Sequence, residues 1–276
     1  MTQSQRKKGG GVLQVSTALV ANYRATLDFF SGKDAAMKKY YPAPFSHWLH
    51  GQNFFNLISP ETRRVMRFEP NRFVIRAEGH PTLDPFEKAV NIAKEFLDAF
   101  GVSQLFSMKF TSVRTRQMKS LEEARSTFAE TFLTDQSMRL LKRDALTDFG
   151  VAVERTWLAN TEFQQVKKPD IARLKIREHI TVAPVSYKEI GEKWLEFRQE
   201  ADNTLYRTTH VAPRFAMLAD ICFEVERRKI VDVLKVDALW RFYDWAKSMA
   251  DKAWSEVEGE GHGRYRYIGD AKDHSG

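Results

Sequence analysis

The 276-residue chain contains a single cysteine, Cys222, so no disulfide can form within it and any thiol chemistry must rest on one side chain. It lacks an apolar run approaching the roughly 20 residues that span a bilayer. It also lacks a leader pattern: Arg6, Lys7, Lys8 and three glycines precede only a short mixed apolar stretch. A soluble, cytoplasmic protein with no membrane partner is therefore expected. The only glycine-rich stretch, Gly9 to Gly11, has none of the strand, lysine and hydroxyl residue that make a phosphate loop, and there is no Gly-x-Ser-x-Gly elbow. Paired cysteines and His-Glu-x-x-His are missing as well. His47-x-x-His50 is the one close histidine pair, and it has no acid beside it. The expectation is no metal and no cofactor.

What is present is ordinary globular composition, 43% hydrophobic and 29% charged, enough for a core without a covalent or metal staple. The formal charge is +7. Arg6, Lys7 and Lys8 account for three of these charges, and the tail from Gly259 is balanced, which leaves about +4 on the body of the chain, a value common in proteins that never meet nucleic acid. Residues 1–14 read as a disordered basic N-terminus, 15–258 as one domain and 259–276 as a disordered tail. The best internal boundary is near Asp148-Phe149-Gly150, at 148–150, where helical periodicity gives way to alternation.

Helical signals recur. Asp84-Pro85-Phe86-Glu87 combines an N-cap, a first-turn proline and a carboxylate, and Phe86, Val90, Ala93, Leu97 and Phe100 follow on one face before Gly101. Ser120-Leu121-Glu122-Glu123 opens a second helix. A third runs from Thr134 or Asp135 to about Leu146, and a fourth opens at Ser186-Tyr187-Lys188-Glu189. The longest covers 237–258, with an apolar face widened by Trp240, Tyr243 and Trp254 so that it suits packing on a sheet. Strands are expected at 72–77, 106–113, 149–158, 162–168 and 172–182, with 215–225 apolar on both faces and therefore central. The fold expected is α+β: an antiparallel or mixed sheet, helices packed mainly on one face, and a long C-terminal helix. A strand–helix order that recurs in each half admits a pseudo-duplicated architecture.

Three groups of residues carry candidate chemistry. Cys222 lies within an apolar strand, where a thiol is an inert small hydrophobe. Asp220 in the same strand would need a partner if buried. With Glu224 and His179 it forms the one candidate catalytic set, as general base or ligand, against the plainer reading of a salt bridge. The third group is basic. Arg173, Lys175 and Arg177 project at period two, and Arg63 with Arg67, Arg72 with Arg76 and Arg114 with Arg116 add further cations at short, even spacing. Aligned, these would make a guanidinium-rich sheet face suited to phosphates or an acidic protein. The plainer reading is a solvated face balanced by Glu154, Glu162 and Glu178.

Val113-Arg114-Thr115-Arg116 at a strand end, and Leu218-Ala219-Asp220-Ile221-Cys222-Phe223 before a long amphipathic helix, resemble a sporadically distributed family of uncharacterised bacterial proteins. The resemblance spans about residues 50–258 in overall order and implies no particular activity. The patchy occurrence of that family implies accessory roles in phage conflict or mobile elements. Its strand often carries a second acid where this chain has Cys222, so a paired-acid site is in doubt here.

Three functions compete. The first is a non-enzymatic binding or assembly protein that contacts an acidic protein or nucleic acid through the arginine-bearing face. The second is an enzyme built around Asp220. The third is a structural subunit that forms homo-oligomers through the 237–258 helix, whose tryptophans and tyrosine suit an interface.

Overall fold

Long extended runs with alternating side chains dictate a sheet whose two faces differ chemically. The computed structural model describes residues 12–41, 43–78, 84–133, 150–159, 174–186, 188, 214–227 and 234–258. In chain order its elements are β1 (Val12–Tyr23), α1 (Asp28–Tyr40), β2 (His47–Gly51), β3 (Phe54–Ser59), β4 (Arg64–Glu69), β5 (Arg72–Glu78), α2 (Asp84–Ala99), β6 (Gln104–Met118), α3 (Leu121–Phe132), β7 (Val151–Ala159), β8 (Leu174–Ser186), β9 (Phe215–Arg227), β10 (Leu234–Lys235) and α4 (Ala238–Glu258). The strands join in one ten-stranded sheet, ordered β2-β3-β4-β5-β1-β6-β9-β8-β7, with the short β10 added to β6. Neighbours along that order are antiparallel.

The order contains a repeat. β1 and β6 lie side by side and antiparallel at the centre. Each is followed by a helix, then by an antiparallel meander that returns to pair with it (β2 to β5 on β1, β7 to β9 on β6), then by a closing helix, α2 or α4. The halves meet between α2 and β6, around Gly101. The boundary expected at 148–150 lies almost wholly outside the described residues. So do the helix expected over 134–146, the strand over 162–168 and most of the helix expected from Ser186, which is itself the last residue of β8.

Register assigns every strand residue to a face. Leu19, Phe55, Phe68, Phe73, Met108, Phe110, Ile176, Ile221 and Phe223 point to the face on which the four described helices pack, and all are buried in one core with Phe29 of α1, Phe96 of α2, Phe128 of α3 and Phe242 of α4. Aromatic rings knit the layers: Phe96 meets Phe68 at 4.5 Å, Tyr243 stacks on Phe86 at 5.2 Å, and Trp245 meets Phe223 edge-on at 5.2 Å. A second, small apolar cluster of Val113, Val185, Ala216 and Leu218 lies on the opposite face.

Local chemistry fixes the helix ends. Gly101 takes φ 68°, and the amides of Gly101 and Val102 donate to the carbonyls of Asp98 and Leu97 at 3.0 and 2.8 Å, closing α2 with a Schellman motif. The Ser120 hydroxyl accepts the Glu123 amide at 3.0 Å while the Glu123 carboxylate accepts the Lys119 amide at 2.6 Å, a variant capping box for α3. The carboxylate of Glu95 on α2 binds both the Tyr40 hydroxyl and the Lys39 ammonium of α1.

β1 sets where the ordered sheet begins. The segment expected to be disordered to residue 14 already belongs to β1 from Val12, where Val12, Leu13 and Gln14 pair with Arg116, Thr115 and Arg114. No helix among the described residues is long and apolar enough to cross a membrane.

Candidate binding face

The face of the sheet on which none of the described helices packs, the helix-free face of the described residues, gathers a set of polar side chains from the second half. Across β7, β8, β9 and β6 the register sets Glu154, His179, Cys222 and Thr111 in one row and Thr156, Arg177, Glu224 and Lys109 in the next. Thr181, Asp220 and Val113 lie in the row above, Lys175, Glu226 and Ser107 in the row below. The candidate residues His179, Asp220 and Glu224 are therefore brought together on one face, within two rows of each other.

Their chemistry is reticulated. Arg177 donates to Glu226 at 2.7 Å, and the Lys175 ammonium lies 3.4 Å from the same carboxylate. His179 Nδ1 lies 3.1 Å from Glu154 Oε1, and its Nε2 lies 2.9 Å from the Thr181 hydroxyl. Acid, imidazole and hydroxyl thus form a chain, but a flat one. The Glu154 side chain is 80% exposed, so nothing fixes its position as an orienting acid needs. β8 is paired on both sides over residues 174–182, so its amides serve the ladders and none is left to hold a developing oxyanion. Burial pushes the Cys222 thiol above its ordinary value, reinforced by Asp220 and Glu224 and opposed by Lys109 and a hydrogen bond from Thr111, so the sulfur is held as the weakly reactive thiol.

The basic residues divide between both faces. Arg67, Arg72, Arg76, Lys175 and Arg177 share the helix-free face, but β1, β6 and β9 separate the first three from the last two. Arg67 donates to Glu69 at 2.6 Å and sits over the Phe54 ring at 4.4 Å. Arg114 and Arg116, expected on the same basic surface, point the other way and hold α4: Arg114 donates to Asp251 at 2.6 Å, and Arg116 to the carbonyl of Glu258 at 3.4 Å. Arg63 is not in a strand at all but in the turn before β4, with φ 49°. Arg173 lies outside the described residues. Among the described residues these positions do not form a single arginine surface.

Counting by register, the β7-β8-β9-β6 part of this face carries three cations (Lys109, Lys175, Arg177) and four carboxylates (Glu154, Asp220, Glu224, Glu226). The β4–β5 part carries Arg67, Arg72 and Arg76 with Glu69 and Glu78. Neither is a polycation. Lys109, Thr111 and Glu226 are not among the candidates read from the sequence: on β6 only the face of Phe106, Met108 and Phe110 is read there, and Glu226 lies one residue beyond the 215–225 run taken as apolar on both faces; alternation with Met108, Phe110 and Val225 is the available signal.

Other candidates resolve differently. His47 and His50 sit three apart on the edge strand β2, so they project to opposite faces and cannot share an ion. No group of His, Cys, Asp and Glu able to hold a metal occurs among the described residues. An open groove runs along α4, lined by Asp244, Lys247, Ser248, Asp251, Lys252 and Ser255, a polar helical stripe remote from His179. Of the aromatics that widen α4, Tyr243 and Trp254 are buried in the core and Trp240 is 39% exposed. In comparison with known proteins, the chain matches no family model and no curated sequence.

Proposed function

We propose that the chain is a cytoplasmic, non-enzymatic binding or assembly protein that docks another polypeptide on the β7-β8-β9-β6 part of its helix-free face. The observation that carries this reading is the interleaving of charge: carboxylates on β7 and β9 alternate with cations on β8 and β6, in register and partly exposed. Phosphates would have to displace carboxylates already bonded to Arg177 and Lys175, whereas a protein surface can answer both signs at once. The flat relay at His179 and the blocked backbone donors around it weigh against catalysis.

Binding of single- and double-stranded DNA and of RNA, compared between the full chain and residues 12–276, tests the choice of partner class. Any retention is expected to follow Arg6, Lys7 and Lys8 and to vanish at about physiological salt when residues 1–11 are removed. Sequence-tolerant binding by the shortened chain that survives such salt and falls in Arg177→Glu would overturn the reading in favour of nucleic acid.

A further inference from the structure

Resting on that reading, we infer that the polypeptide docked on this face is a second copy of the chain. The charges alternate by strand: Glu154 on β7, Lys175 and Arg177 on β8, Asp220, Glu224 and Glu226 on β9, and Lys109 on β6. This four-stripe order is its own complement under a twofold rotation about an axis parallel to the strands and passing between β8 and β9. The rotation keeps each row and reverses the order of the strands. Arg177 then faces Glu224 of the second copy, Lys175 faces its Glu226, and both pairs occur twice, as an isologous contact requires. Glu154 comes to lie one row from Lys109 of the second copy, within reach of long side chains.

Within one copy the register sets Glu224 between Arg177 and Lys109, yet its carboxylate makes no ion pair with either. The second copy supplies Arg177 to that carboxylate directly. Two sheets stacked in this way keep their strands nearly aligned and stand about 10 Å apart, a gap that arginine and glutamate side chains bridge from both sides.

Area sets the strength. Four strands about 4.8 Å apart, each contributing about seven residues at 3.4 Å, present on the order of 450 Å² per copy, roughly half of a standard interface. The association is therefore weak, in the micromolar range or above, and salt-sensitive because the contact is ionic.

Sedimentation of the full chain across a concentration series at low and high salt tests this. Reversible dimerisation is expected at low salt, falling about tenfold or more in high salt. Arg177→Glu and Glu224→Lys should each weaken it about tenfold, since each sets like charges opposite one another. The double variant should recover to within about threefold, because both 177–224 pairs are restored with their signs reversed and both Lys175–Glu226 pairs are untouched. Thermal melts of the three variants verify that each remains folded. A chain that stays monomeric to hundreds of micromolar, or a dimer indifferent to both single swaps, overturns the inference. If that monomer still crosslinks another protein through this face, the binding reading stands and only self-association fails.

Discussion

Glu178 is buried on the helix-covered face of β8, and its carboxylate lies 2.5 Å from Nε of Arg155, its cross-strand neighbour on β7. The acid opposes Phe223 in the register and interrupts an otherwise apolar row. Its negative charge is tolerable there because the guanidinium reaches in from the sheet edge, half exposed to water. Arg155→Ala should destabilise the fold by about 2 kcal/mol, less than a fully buried pair would lose, because water reaches the arginine side. Arg155→Leu with Glu178→Leu should recover most of that loss. Urea denaturation of the three chains measures both.

Backbone conformation supplies a paired prediction. Gly101 and Arg63 both occupy the left-handed region, at φ 68° and 49°. Gly101→Ala adds a Cβ at 3.1 Å from the Asp28 carboxylate and strains the Schellman turn, so a loss of about 1 kcal/mol or more is expected. Arg63→Gly should be neutral or stabilising by a few tenths to about 1 kcal/mol, since glycine removes the steric penalty but adds entropy to the unfolded chain. Thermal melts with opposite signs for the two variants verify the account.

Arg114 and Arg116 act on α4, not on a ligand. Arg114→Ala should cost about 1 kcal/mol by freeing Asp251 from a hydrogen bond, and Arg116→Ala less, by removing a cation from the helix C-terminus. Neither should alter association through the helix-free face. Denaturation and sedimentation of the same variants separate the two effects.

The phenols of Tyr23 and Tyr243 are both buried, and burial pushes each above its ordinary value; Glu69 adds to the shift at Tyr23, and Glu87, Asp251 and Asp244 add to it at Tyr243. Folding thus favours the protonated phenols. Their contribution is complete below the unfolded tyrosine value near 10 and is lost as pH rises above it, because only the unfolded chain ionises there. Stability measured from pH 8 to 11 should fall steeply above about 10. Tyr243→Phe should flatten that fall and be nearly neutral at pH 7, since the Tyr243 hydroxyl has no hydrogen-bond partner.

The parts of the fold that were legible had strong periodicity or end chemistry. α2 announced itself through Asp84-Pro85 and Gly101, and β9 through its apolar run; β9 lies between β6 and β8, but its second face carries Asp220, Cys222 and Glu224 and is only partly buried, so the expectation of apolar cover on both faces is corrected. β1 escaped because a central strand here alternates Ser16, Ala18 and Val20 with Thr17, Leu19 and Ala21, small residues that give little contrast between faces. α1 escaped because Ser31 and Gly32 weaken its helical signal. Gly32 lies close against the core, since a Cβ there would stand 3.2 Å from the Phe100 ring, which would have to shift to admit it. At the candidate site the alternation of β8 was readable, but its facing strands were not. Only register reveals that Glu226 answers Lys175 and Arg177, and that Arg114 lies on the other side of the sheet. The stretches around Arg114 and Asp220 turn out to be directly paired, with Val113 opposite Asp220.

The most direct measurement of the central claim is site-specific photocrosslinking in living cells, with the reactive side chain placed at Thr156 on the helix-free face and, as a control, at Asp244 on the outer side of α4. The account predicts discrete polypeptide adducts from position 156, diminished by Arg177→Glu, and few or none from position 244. Adducts of equal yield from both positions, or nucleic acid in place of protein at position 156, would contradict it.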